Sequence, residues 1–248
     1  MSRGVRMAVC AVGALGVAVL LAAAFTRMPA FGGAHHPYRD AAVGAAVRHA
    51  TPNVVSSLNF DQRGLDTLVE EMILVACVLA SVALLRPAHH ESERPARTGG
   101  RVLPASRLVG YVLLPVTLAL GLDVVLHGHL TPGGGFQGGV ILATGLHLVY
   151  VTGDYAALRR LRPVAWYAYG EAAGAGAFLL LALAGLVSAR GFMADILPPG
   201  RFGALFSAGT VLPFSAATGC AVVCGMVVLL AAFFRQELQI TETGEADR

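Results

Sequence analysis

Charge is scarce in this chain, and lysine is absent. Only 13% of the 248 residues are charged, and all 18 basic residues are arginine. A soluble globular domain carries about 25% charged residues. The deficit excludes a disordered protein, a nucleic-acid binder and an ordinary cytosolic enzyme. Cysteine is scarce too. Cys10, Cys77, Cys220 and Cys224 all lie inside apolar segments, so no disulfide framework follows. Cys220 and Cys224 stand four apart, but two thiols without nearby His or further Cys make a poor metal site. All four read as small core packing residues. Without a Cys-rich cluster motif the chain holds no redox centre of its own, and no cofactor or metal is expected.

What the chain has instead is apolar length. Apolar residues make up 56% of it, and the mean hydropathy is +0.67. A helix needs about 20 mostly apolar residues to cross about 30 Å of hydrocarbon. Six segments meet or approach that: 7–25, 67–85, 108–127, 136–152, 165–188 and 211–234. The fold class is therefore all-α, a polytopic membrane protein with about six spans. The fourth segment is the shortest and begins in glycines, which suggests a tilted or partly re-entrant helix. The first has Arg3 and Arg6 ahead of its apolar run and small residues at Ala22–Ala24. Those features resemble a signal peptide, but the run is longer than the usual one and reads as a retained helix.

The arginines suggest the orientation. With six spans and the N-terminus inside, 12 arginines fall on the cytoplasmic side and six outside, so the positive-inside tendency selects N-in and C-in. The arginine surplus thus reads as topology and not as a nucleic-acid patch. A Pro-, Gly- and charge-rich stretch at 86–107, with His89 and His90, reads as a cytoplasmic linker. It divides a two-span unit (1–86) from a four-span unit (107–235), with 87–106 as linker and 236–248 as a polar tail. In the long gap 26–64, the Ala/Val-rich piece 40–50 suits a short interfacial helix.

An ionisable group inside hydrocarbon is costly, so each one is a functional candidate. Asp66 and Glu70 stand four apart on one helix face at the entry to the second span, with Glu71 beside them. Asp66 would cap that helix and Glu70 complement its dipole, or both would meet ions. Asp123 and His127 also stand four apart, with His129 just beyond. A carboxylate beside an imidazole either anchors a helix end or passes protons. His147 in the fourth span reads as a hydrogen-bonded packing residue or as part of a hydrated path. Glu171 follows Trp166, Tyr167 and Tyr169, an interfacial aromatic belt, and so lies about a turn deep.

Between the third and fourth spans runs HGHLTPGGGFQGG at 127–139, with Gly133, Gly134, Gly135, Gly138 and Gly139 within seven positions. It lacks the Lys-Ser/Thr ending and the preceding strand of a phosphate cradle. Gly135 and Gly139 form a small-xxx-small pair suited to close helix contact.

This string, and the stretch from about Leu108 onward, resembles the MnhB-like component of the Mrp-type multisubunit sodium/proton antiporters. Asn53-Val54-Val55 followed by RGLDTLVE at 63–70 is similar to the C-terminal end of the large A-type component of the same antiporters and to a small component of membrane-bound hydrogenases. Those relatives usually have Gly where Val69 stands, and Glu71 is an added acid. The resemblance implies a fusion of two neighbouring subunits. It implies a non-enzymatic, multi-pass cell-membrane subunit whose partners are other antiporter subunits, sodium ions, protons and the bilayer. The eight acids and histidines named above would then form or border an ion route. Two alternatives remain: a purely structural role, or membership of an energy-converting hydrogenase-type complex.

Overall fold

The computed structural model describes residues 3–28, 32–34, 36–85, 103–153, 164–188 and 190–234. Most of the expected linker, including His89 and His90, and the expected tail 236–248 lie outside the described residues. The chain forms two compact units, Met1–Ala41 and Ala42–Arg248.

The first unit holds α1 (Arg3–Thr26), none of whose residues is buried. It also holds the start of α2 (Pro37–Arg48), the helix expected at 40–50; Ala42 and Ala46, in its second-unit part, are buried. The second unit continues with α3 (Val54–Ser57), a π-helical turn (Leu58–Gln62) and then α4 (Gly64–Leu84), α5 (Pro104–Leu126), α6 (Gly135–Gly153), α7 (Val164–Val187) and α8 (Val211–Phe234). No strand occurs among the described residues. Six helices, α1 and α4–α8, are long and apolar enough to cross a membrane. Each begins within four residues of the position expected from composition. The fourth span is one unbroken helix, not a re-entrant segment.

Helix α8 is the hub, packed against α4, α5, α6 and α7. Two faces of α8 do different work. Ser215, Gly219, Val222 and Met226 follow helical spacing and turn toward α5 and α6. There Ser215 Oγ donates to the Val125 carbonyl at 2.9 Å. A Cβ at Gly139 would come within 2.8 Å of the Val222 Cβ, and one at Gly138 within 2.6 Å of the Gly121 carbonyl oxygen. These glycines are what lets the backbones approach so closely. Phe214, Thr218 and Gly225 share the adjacent arc, toward α4 and α7, with Thr218 at the border, where a Cβ at Gly135 of α6 would come within 2.7 Å of the Thr218 Cβ.

At the end where α4 and α8 begin, Asn53 joins the segment before α4 to the segment after α5. Its side-chain amide donates to the carbonyls of Gly128 at 2.7 Å and Thr131 at 2.8 Å. Its backbone N–H donates to the His129 carbonyl at 3.0 Å. Its Oδ1 accepts from the N–H groups of Val55 and Ser56, capping α3.

Candidate functional site

Two carboxylates from different helices enter the interior of the second unit. Glu71 on α4 is fully buried, and Glu171 on α7 is nearly so. The Thr218 hydroxyl is the one side-chain hydrogen-bonding group set against Glu71 among the described residues, too loosely aligned to satisfy either oxygen, and Oε1 of Glu171 has no partner there. Glu71 faces the buried hydroxyl of Thr218 on α8 and lies within electrostatic reach of Glu171 and Glu70. Glu171 lies against Gly225, where a Cβ would come within 2.8 Å of Oε1. Glycine at that position makes the room for the carboxylate.

Depth follows from the register. Glu71 is seven residues into α4, Thr218 seven into α8, and Glu171 seven into α7. At 1.5 Å per residue each is about 10 Å from its helix start. Thr218 and Gly225 are themselves about 10 Å apart along α8. The two acids therefore occupy successive levels beside one helix face. An unpaired carboxylate in such surroundings costs several kcal/mol when ionised. A proton or a cation removes that penalty, so the pair suits ion occupancy better than helix capping.

An aromatic cluster lies beyond Glu71 toward the start of α4. Phe60, Phe178 and Phe214 are buried, with ring centroids 4.6 Å apart for Phe178–Phe214 and 6.4 Å for Phe60 against each of the others. Met193 and Ala208 complete this apolar layer. Outside the spanning segments, Asp61 pairs with His49 Nδ1 at 2.9 Å. Burial pushes the Asp61 carboxyl up from its ordinary value; His49 opposes the shift and the Asp195 charge adds to it. Asp195 Oδ1 accepts from both the backbone N–H and the hydroxyl of Thr210 at 2.7 Å.

The remaining sequence candidates separate from the buried pair. Asp66 does not cap α4. The cap position is Arg63, with no side-chain capping bond, and Asp66 is instead ion-paired with the Arg63 guanidinium. Glu70 is exposed, so the adjacent Glu71, and not Glu70, is the acid of the interior. Asp123 and His127 do pair, at 2.8 Å, on an exposed surface. His129 is fully buried, and its Nε2–H donates to the Leu205 carbonyl at 3.0 Å. Burial lowers the His129 pKa below the ordinary 6.5; the Leu205 and Ala204 carbonyls oppose this, and His127 adds to it. His147 is half-buried, its ring set against the Met226 backbone on α8, with Nε2 unpartnered. Glu171 lies two turns from the start of α7 and within about a turn of Trp166–Tyr169. The core role expected of the cysteines fails: Cys10, Cys77 and Cys220 are exposed and Cys224 is half-buried. A spanning helix keeps apolar residues on its outside, so an apolar run does not imply burial.

Gly135, Gly138 and Gly139 sit in the α6 contacts with α8 and α5. Gly133 and Gly134 adopt φ of +136° and +141° in the preceding turn, conformations that favour glycine. Sequence reasoning missed Thr218, the Asp61–His49 pair, Asp195 and the aromatic cluster. Thr218 did carry a signal, as a hydroxyl inside a long apolar run; the others depend on distant segments meeting. Among the described residues no group of three or more His, Cys, Asp or Glu side chains is placed to hold a metal ion.

Residues 105–228 match the family described as "Domain related to MnhB subunit of Na+/H+ antiporter". An uncharacterized protein of Methanocaldococcus jannaschii is 32% identical over 155 residues, covering 54% of this chain and 56% of that protein. A probable K(+)/H(+) antiporter A/B subunit of Rhizobium meliloti is 30% identical over 142 residues, covering 48% of this chain and 14% of that protein. The chain thus spans about half of the first relative and a small part of the second. Among solved structures, a chain of the archaeal membrane-bound sulfane sulfur reductase superposes with TM-score 0.73 at 25% identity. That match covers 94% of this chain and all of that one. A chain of the Mrp complex from Dietzia sp. DQ12-45-1b gives TM-score 0.66 at 25% identity, covering 94% of this chain and 26% of that one. With half its length inside the family match and nearly all of it inside both superpositions, the chain belongs to the family of domains related to the MnhB subunit of Na+/H+ antiporters.

Proposed function

We propose that this chain is a non-enzymatic membrane subunit of a multisubunit monovalent cation/proton antiporter, and that Glu71 and Glu171 border its ion path. The observation that carries the reading is the pair of buried carboxylates that α4 and α7 place at successive levels of one interior, Glu71 beside the Thr218 hydroxyl and Glu171 with Oε1 unpartnered. Hard carboxylate oxygens suit a small alkali cation as well as a proton. If one carboxylate holds either ion but not both, exchange of the two follows. The Thr218 hydroxyl serves as a neutral ligand or proton donor at the level of Glu71, and His147 takes up protons from the α6 side of α8. Asp66, Glu70, Asp123, His127 and His129 stand nearer the surface or the helix ends, as approach groups and not as the central site.

The reading includes N-in and C-in orientation, the α5–α8 segment as the MnhB-like part, and α1–α4 as a fused unit like the end of the large A-type component. Its test uses membrane vesicles holding the whole complex. Glu71→Gln combined with Glu171→Gln should cut cation-driven proton exchange at least tenfold while the subunits still co-purify. Normal exchange in the double variant rejects the ion-path role and leaves a scaffold.

A second reading is favoured by the full-length match to a chain of an archaeal respiratory membrane complex. In it the same subunit couples ion movement to redox chemistry carried by partners. The coding neighbourhood separates the two: genes for redox subunits beside this one support the second.

A further inference from the structure

Buried polar side chains without a well-aligned partner do not scatter through the described residues. Apart from His49, which faces Asp61 at 2.9 Å, they fall at three levels beside α8. Glu171 lies against Gly225 and His147 against Met226. Glu71 and Thr218 lie about 10 Å nearer the start of that helix. The third level precedes α8 and consists of Ser56 Oγ, Ser207 Oγ and His129 Nδ1. These three residues are 2%, 2% and 0% exposed. Three connections gather them in one corner. The Asn53 N–H donates to the His129 carbonyl, and Asn53 Oδ1 caps the turn that carries Ser56. The His129 ring bonds the Leu205 carbonyl, two residues before Ser207. Ala208, next to Ser207, shares one buried apolar cluster with Phe60, four residues after Ser56. The corner therefore sits on the aromatic layer, on the side away from Glu71.

The three groups are chemically complementary. His129 Nε2 faces a carbonyl and so carries the imidazole proton, which leaves Nδ1 an acceptor in the neutral ring. The Ala204 carbonyl, also within reach of the ring, has no proton to give it. Each serine hydroxyl both donates and accepts. Left dry, each group would carry the full penalty of an unmade buried hydrogen bond. A buried water commonly makes about three hydrogen bonds to otherwise unsatisfied polar groups. We propose that His129, Ser56 and Ser207 bind ordered water in this corner, a hydration site separated from Glu71 by the Phe60, Phe178 and Phe214 layer. The water donates to His129 Nδ1 and accepts from a serine hydroxyl. Its part in transport rests on the ion-path reading: it brings protons up to the far side of the aromatic layer.

The test keeps the complex whole, in lipid nanodiscs. Brief X-ray pulses turn bound as well as bulk water into hydroxyl radicals, and mass spectrometry reads which side chains are oxidised. Despite its complete burial, His129 should be oxidised at a rate within about tenfold of its rate in the denatured protein. Ser56→Ala combined with Ser207→Ala should lower that rate at least fivefold while the subunits still co-purify. Oxidation of His129 at background in the wild type, or at an unchanged rate in the double variant, overturns the hydration site. The wild-type measurement decides alone if the variant does not assemble. In vesicles the same variant should slow proton exchange about threefold or more. Unchanged exchange beside lost oxidation overturns the access role. Normal exchange in Glu71→Gln with Glu171→Gln removes the ion-path reading instead, and leaves the oxidation of His129 as it was.

Discussion

Successive side chains on a helix point about 100° apart, and at residues 70 and 71 that rotation separates a surface acid from an interior one. The buried groups near the helix ends make single-residue predictions sharp. His129 is held neutral by burial, with its folded pKa below the ordinary 6.5. Above 6.5 both folded and unfolded forms are neutral and the full stability is present. As pH falls through 6.5 the unfolded chain takes up a proton that the folded one refuses, so stability drops. Asp61, whose pKa is raised from 3.8, acts with the opposite sign, losing stability as pH rises from 3.8 upward. Comparison of wild type with His129→Gln isolates the first effect: the difference in melting temperature should change as pH falls below 6.5 and be flat above it. Asn53→Ala removes a helix cap and two side-chain bonds to loop carbonyls. It should cost about 3 kcal/mol in reversible unfolding in detergent. A loss under about 0.5 kcal/mol would mean water replaces those bonds.

At the scale of elements, the spans were readable because each needs only length and apolar composition, both local properties. The side of each helix that turns inward was not, since a spanning helix is apolar all round. The glycines are an exception: Gly135 and Gly139 of α6 reveal a contact seam by their spacing, and they do pack against α8. Their importance is measurable by contrast. Gly139→Leu drives a large side chain into Val222 and the Gly219 carbonyl; it should destabilise the α6–α8 pair by about 3 kcal/mol. Gly176 on α7 has nothing within 4 Å of its Cβ position, so Gly176→Ala should be neutral or stabilising by up to about 1 kcal/mol. Size-exclusion profiles and thermal midpoints of the two variants decide it. Equal behaviour would remove the close-packing account of the glycine string.

For the whole molecule, α8 joins the two kinds of face into one arrangement. One side holds the glycine seam to α5 and α6, the other the two acids under an aromatic layer. Phe214→Ala opens that layer next to Thr218. In the assembled complex it should raise passive cation leak through the path, measured as uncoupled ion flux in vesicles, with a loss of about 3–5 kcal/mol in stability. Unchanged leak in a folded variant would show that the aromatic layer does not seal the acids. The arginine asymmetry further expects the segment 86–107 to be cut by protease only in inside-out vesicles. Number of spans, their approximate ends, the glycine contacts and the Asp123–His127 pair were all legible from spacing and composition, because each is decided within a turn or two of helix. Which of two adjacent glutamates is buried, that Glu71 and Glu171 lie at successive levels beside α8, and that Cys77 and Cys220 are exposed were decided only when the helices packed. Hydropathy along a chain records affinity for an apolar environment, and neighbouring helices and lipid tails satisfy that affinity equally well.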